Sequence, residues 1–201
     1  DFKKGQLSRV YNQGGNPTLG ERKIDRSIFQ GKRYLPIQSL EMGRGCTSGC
    51  EFCAIPVFFD GYNPRPLEKV LKEVEENDMQ QIFLTDDNIS AYPNKLLEFC
   101  EGMKPLKRKW VGQAGINIAK NDALLESIAE SGCLGLLIGF ESLNPDNIAL
   151  MSKRINSRVD YQKAIKRINS YGIRIYGSFI MGYDNDTLES IDDTVSFAID
   201  Q

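Results

Sequence analysis

From residue 36 onward, short apolar runs alternate with longer stretches in which apolar residues recur every three or four positions. Residues 36–42 alternate well enough for a first strand. A polar loop follows, and Pro64 and Pro66 then lead into residues 67–77, where Leu67, Val70, Leu71 and Val74 share one helical face. Gln81-Ile82-Phe83-Leu84-Thr85 is too short and too apolar for a surface helix and reads as a second strand. Tyr92-Pro93 opens a helix that runs to about Met103. Residues 110–115 form a third strand, and residues 122–131 a helix with Leu124, Leu125 and Ile128 inward and Asn121 as its cap. Residues 134–140 are almost wholly apolar, which predicts a parallel strand covered on both faces. A helix over residues 159–171 exits through Gly172 into a fifth strand at 173–181. The last helix, at 187–200, is expected to turn Leu188, Ile191, Val195 and Ile199 inward, with Thr187 or Asp186 as cap.

Five strand-helix units at this spacing imply an α/β fold with a parallel sheet, either a partial TIM-like barrel or a doubly wound sheet. In both, functional residues gather at the C-terminal ends of the strands. Residues 46–53, Asp86-Asp87-Asn88, Gln113, Glu141-Ser142 and residues 182–184 stand at or after five such ends. Repeated polar endings of this kind favour a cleft over a passive core. Residues 1–35 lack periodicity and carry Gly14-Gly15-Asn16-Pro17, Gly20 and Gly31, so they read as a loop-rich lead-in or linker anchored by Ile24, Ile28 and Phe29. Residues 36–201 form the one domain. Asp1 is not a natural chain start, and further chain is expected upstream.

The 201 residues are 41% hydrophobic and 26% charged, ordinary values for a globular chain. Lys plus Arg total 25 against 27 for Asp plus Glu, and the net charge of -2 provides no long-range field for nucleic acid. The run from Lys104 to Lys109 reads as a solvated turn before a strand. No stretch of 18 apolar residues predicts a transmembrane segment and the first residues lack a signal-peptide core, so a cytoplasmic setting is expected. The chain has no histidine, which removes Ser-His and Cys-His triads and imidazole metal sites.

Chemistry enters with Cys46-Thr47-Ser48-Gly49-Cys50-Glu51-Phe52-Cys53, reached through Gly43-Arg44-Gly45. Three thiolates so close form a soft ligand set, suited to iron-sulfur clusters, zinc or cuprous ion. Zinc would need a fourth ligand from Cys100, Cys133 or a carboxylate. A four-iron cluster on three cysteines keeps one iron free. Cys100 and Cys133 lie in apolar context and read as buried free thiols. The glycines at 14–15 and 43–45 show neither the Walker nor the Rossmann pattern.

The three-then-two cysteine spacing, with Phe52 before the last cysteine and a βα pattern after it, resembles the radical S-adenosylmethionine (SAM) superfamily. The resemblance covers about residues 36–201 and implies a partial (β/α)6 barrel with five units present and the sixth lacking. It implies a [4Fe-4S] cluster on Cys46, Cys50 and Cys53, whose fourth iron binds SAM, and a 5'-deoxyadenosyl radical that abstracts hydrogen from substrate. Phe52 then lies near adenine. Asp86-Asp87-Asn88 stands where the family carries a Gly-Gly-Glu-like stretch that grips the methionyl ammonium; here the form departs, and a cap and turn is the other reading. Glu141, assisted by Ser142, would meet the ribose hydroxyls or the methionyl amine, or else form a capping pair. Gln113 is a polar partner of SAM or substrate, or bonds its own turn. Phe179 and Ile180, in Gly177-Ser178-Phe179-Ile180-Met181-Gly182, would pack against adenine. Arg44 either balances cluster charge or lies on the surface, and Lys153 and Arg154 either form an exposed charge cluster, the first reading, or reach toward a carboxylate.

The Asp-Asp-Asn ending, Trp110 with Gln113, Ser131-Gly132-Cys133 and residues 177–184 narrow the resemblance to the cobalamin-dependent class, including methyltransferases. Its implications are a cobalamin bound by an N-terminal domain outside this chain, a small-molecule or lipid-like substrate, reduced ferredoxin or flavodoxin as electron donor, and no nucleic acid. Methylthiotransferase-like, cyclising or oxidising chemistry fits the same barrel, as does a non-catalytic iron-sulfur electron-transfer module.

Overall fold

The computed structural model describes residues 2–11, 19 and 24–201, so the glycines at 14, 15 and 20 fall outside the described residues. Strand β1 (Ile37–Leu40) leads into a short strand β2 (Gly43–Gly45), the cysteine loop, helix α1 (Ile55–Phe58) and strand β3 (Tyr62–Pro64). The chain then runs through α2 (Leu67–Glu75), β4 (Gln81–Leu84), α3 (Pro93–Met103), β5 (Lys109–Ala114), α4 (Asp122–Glu130) and β6 (Cys133–Glu141). It finishes with α5 (Pro145–Leu150), α6 (Tyr161–Ser170), β7 (Arg174–Phe179) and α7 (Leu188–Asp200). Asn121 caps α4 by accepting from the Leu124 amide at 3.1 Å, and Thr187 and Ser190 form a reciprocal capping box on α7.

The large strands make one parallel sheet in the order β1-β4-β5-β6-β7, while β2 and β3 pair antiparallel as a separate hairpin. This is the α/β core expected of a partial barrel. Among the described residues β1 and β7 do not pair, so the sheet is open rather than closed.

Openness explains a departure in β6. Leu136, Ile138 and Phe140 are buried, whereas Gly135, Leu137 and Gly139 between them are only half-buried, so this apolar strand is fully covered on one face instead of two. Burial alternates in the same way along β4 and β5, with Ile82, Leu84 and Trp110 inside and Phe83 and Gln113 outside. On the covered face the Trp110 and Phe99 rings meet edge-on at 5.8 Å, and the indole N–H donates to Ser131 Oγ at 3.0 Å, so the largest core side chain leaves no polar atom unpaired.

The two ends of the chain also differ from expectation. Ile24, Ile28 and Phe29 are exposed and do not anchor the lead-in among the described residues. Arg26 does so instead, donating to the Ser39 carbonyl (2.8 Å) and Glu73 Oε1 (2.7 Å), while Arg65 takes Glu73 Oε2 (2.7 Å) and the Glu41 carbonyl (2.7 Å). In α7, Leu188, Val195 and Ile199 face outward; Thr194 is buried and Phe197 reaches the sheet edge-on to Phe179 at 6.2 Å. The helix lies at the terminal strand, where only one flank has a neighbour to cover it.

Candidate functional site

The cysteine loop rises from the β2-β3 hairpin, and the strand end of β4 holds that hairpin from below. Asp86, fully buried, accepts the amides of Met42 and Gly43, both at 2.8 Å, and lies 3.4 Å from the Tyr62 hydroxyl. Asp87 accepts the Gly45 amide at 3.1 Å. Gly45 has φ 91°, and a Cβ there would collide with the Gly61 carbonyl, so the loop entrance requires glycine. Asn88 accepts from the Ser90 amide (3.0 Å) and hydroxyl (2.7 Å), and its amide nitrogen reaches Cys46 Sγ at 4.0 Å. The tip is tied to the far side: the Glu51 amide donates to the Met151 carbonyl at 3.0 Å, and the Tyr183 hydroxyl donates to Glu51 at 2.6 Å.

Burial pushes the Asp86 carboxyl up to about 6, outweighing the two amide bonds that favour its ionised form. Tyr62 is raised as well, first by burial and then by the Asp86 charge. A buried acid of this kind holds its proton more tightly folded than unfolded. Its contribution to stability is therefore greatest below the unfolded value of 3.8, falls as pH climbs to about 6, and is flat above. Urea titrations of wild type and Asp86→Asn between about pH 4 and 7 are expected to show their stability difference shifting against wild type as pH rises. A pH-independent difference contradicts the assignment.

Cys46, Cys50 and Cys53 line one cavity of about 140 Å³ together with Phe52, Asp87, Asn88, Gln113 and Glu141. The structure thus brings together eight of the twelve residues expected at the site. The three thiols are free and partly exposed. Burial pushes the Cys50 thiol up, and the neighbouring Lys153 charge pulls it down. Among the described residues no three ligating side chains close on a single-ion position.

At the opposite wall, Glu141 ends β6 with φ 65° and forms an ion pair with Lys153, both side chains nearly buried. The backbone here is pinned from beneath: Asn156 Nδ2 donates to the carbonyls of Gly139 (3.0 Å) and Phe140 (2.8 Å), and the Tyr161 hydroxyl donates to Phe140 O at 3.0 Å. Lys153 therefore takes the second of its two expected readings, a carboxylate partner, rather than the exposed cluster, whereas Arg154 is exposed. A strand-end carboxylate emerging from seven apolar residues needs a counter-charge, and that was the available signal for Lys153.

Four expected residues lie elsewhere. Asp86 is under the hairpin, its carboxylate committed to backbone amides. Ser142 is buried in a turn, its hydroxyl accepting the Asn144 amide at 3.1 Å. Phe179 stacks on Phe140 at 5.4 Å, placing it on the helix-covered side of the sheet, and the Ile180 amide donates to the Glu141 carbonyl at 2.8 Å. Arg44 turns to Glu41 through two bonds of 2.8 and 2.9 Å. Cys100 and Cys133 are buried free thiols as expected, and burial raises Cys100 to about 11.

The family model described as "Radical SAM superfamily" matches residues 40–198. Over 98% of its length the chain is 32% identical to bacteriochlorophyllide d C-12(1)-methyltransferase of Chlorobaculum tepidum, spanning 46% of that protein. It is 28% identical over 88% of its length to anaerobic magnesium-protoporphyrin IX monomethyl ester cyclase of Rubrivivax gelatinosus, spanning 34% of it. The chain thus spans less than half of these curated relatives. In fold it resembles the radical SAM methyltransferase TsrM of Kitasatospora setae, a structure with cobalamin and a [4Fe-4S] cluster, with a TM-score of 0.68 and 16% identity over 82% of this chain and 34% of that one. Among the described residues, no helix is long and apolar enough to cross a membrane.

Proposed function

The chain belongs to the radical SAM superfamily, and from that premise we propose that it is the catalytic core of an enzyme that cleaves SAM reductively and methylates a small molecule with the help of a cobalamin bound outside these residues. The observation that carries this reading is the shared cavity: three thiols, an aromatic side chain and a carboxylate-ammonium pair meet at the C-terminal ends of parallel strands.

The donor set fits a cluster. All three ligands are free thiols lining one cavity, soft donors suited to iron and sulfide. When bound, the cluster supplies the electron that converts SAM into a 5'-deoxyadenosyl radical and methionine. The chain's own residues hold and shield the reactants. Glu141 and Lys153 present opposite charges to the methionyl ammonium and carboxylate. Phe52 offers a face to adenine, Gln113 a neutral hydrogen-bonding group, and Asp87 and Asn88 steady the loop that carries Cys46. The electron comes from an external donor such as reduced ferredoxin or flavodoxin.

Methyl transfer is favoured by the 32% identity to a methyltransferase, whose name also points to a tetrapyrrole substrate. A second reading, radical cyclisation or oxidation, draws on the likeness to the cyclase. The test is anaerobic reconstitution of the full-length protein, iron and sulfide counts, and assay of 5'-deoxyadenosine and methylated product with and without cobalamin. We expect about four irons per chain, 5'-deoxyadenosine in both arms and methyl product only with cobalamin. Iron without any SAM cleavage leaves an electron-transfer module; cleavage indifferent to cobalamin favours the second reading.

A further inference from the structure

The sheet face turned away from the helices continues the same cleft downward. Gly139 identifies that face, because a Cβ on it would lie 2.6 Å from Lys153 Nζ in the cysteine cavity. Residues 135, 137 and 139 of β6 therefore share it. A Cβ on Gly135 would lie 3.4 Å from Arg174 Cβ, which puts Arg174 on the same face, and Tyr176 follows at the next inward position of β7. The register carries the face across the sheet in two rows, Phe83-Val111-Gly135-Arg174 and Gln113-Leu137-Tyr176.

The middle of this floor is apolar. Phe83 is 47% and Tyr176 72% exposed, and Val111 and Leu137 lie between them. Its charges are lopsided. Glu141 is matched by Lys153, whereas the side chains of Arg174 and Lys109 have no ion-pair or hydrogen-bond partner among the described residues. In a chain of net charge -2, two unmatched cations on one apolar face go against the overall balance and call for an anion. From β4 to β7 the floor spans three strand spacings, about 14 Å, the width of a fused or macrocyclic ring system rather than of a single alkyl chain.

Building on the proposed radical SAM reading, we infer that this face is the substrate floor, and that the substrate is a broad, largely apolar molecule whose carboxylate pairs with Arg174. The planar guanidinium matches a carboxylate with two parallel hydrogen bonds, and the apolar rows bury the rest. Arg174 is then a specificity residue of the site.

The test uses the full-length protein without SAM or reductant. It is titrated with protoporphyrin IX, a flat apolar ring with two carboxylate arms, and with the dimethyl ester of the same ring, following the Soret band. Wild type is expected to prefer the diacid by about tenfold or more, Arg174→Gln to lose that preference while binding the ester as before, and Arg174→Lys to restore part of it. Equal affinity of wild type for acid and ester, or an undiminished preference in Arg174→Gln, overturns the inference. A diacid preference in a protein that fails to cleave SAM refutes the radical chemistry alone; SAM cleavage without the preference refutes the floor alone.

Discussion

Alanine at any one of Cys46, Cys50 or Cys53 is expected to strip the reconstituted protein of its iron and sulfide and to reduce 5'-deoxyadenosine formation by about a thousandfold or more, to background. The loss is expected to be chemical rather than structural, because the loop is held mainly by bonds other than the long contacts to Cys46 Sγ. Asp86 and Asp87 hold its entrance through three backbone amides, and the Glu51 bonds to Met151 and Tyr183 hold its tip. Thermal unfolding of each apo variant should therefore match apo wild type. Cys100→Ala and Cys133→Ala are the controls: both thiols are buried in the apolar core, so their loss should cost some stability while leaving iron content intact. If a loop variant keeps its full iron, or if a core variant loses it, the cluster assignment is wrong.

Much of this arrangement was legible in the sequence because its signals are local and redundant. Period-two and period-3.6 patterns located all five sheet strands and helices α2, α3, α4, α6 and α7, but not the short α1 and α5, and the cysteine spacing located the loop. What escaped depends on information that periodicity does not hold. The hairpin β2-β3 has three-residue strands of glycine, arginine, tyrosine, asparagine and proline, too short to show alternation, and it pairs across the 16 residues from Cys46 to Gly61. The motif points Phe179 toward adenine, but the side a strand residue takes depends on register. A shift between Gly139 and Glu141 changes the pairing, and Phe179 falls in step with Gly177 against Phe140 on the helix side. The apolar stripe of α7 has inward spacing, yet Leu188, Val195 and Ile199 stay exposed and Ile191 is only half-buried, since a helix at a terminal strand is flanked on one side only. Lys153 sits in a polar stretch, and only the folded chain brings it under the end of β6.

That ion pair supports the prediction with the largest effect on SAM itself. Gly139→Ala adds one methyl group 2.6 Å from Lys153 Nζ and in collision with Glu141 Oε1, so the pair must part or move. SAM affinity is expected to fall by tenfold or more, about 1.4 kcal/mol, with iron content unchanged. A structural role for the pair would give the same result by loosening the cavity, so single substitutions do not decide the matter. Glu141→Gln leaves Lys153 unmatched with its side chain 12% exposed, and Lys153→Met leaves Glu141 equally alone, so each should lower folding stability by about 3–5 kcal/mol. The double variant removes both charges at similar volume. Replacing a whole buried pair is often neutral or stabilising, so its stability is expected to return close to wild type. Its SAM affinity is expected to stay low, because neither the ammonium nor the carboxylate of the methionyl group then has a partner. Recovery of stability together with wild-type SAM binding in the double variant would make Glu141 and Lys153 a strut of the fold, and the methionyl site would have to be sought elsewhere along the cavity wall.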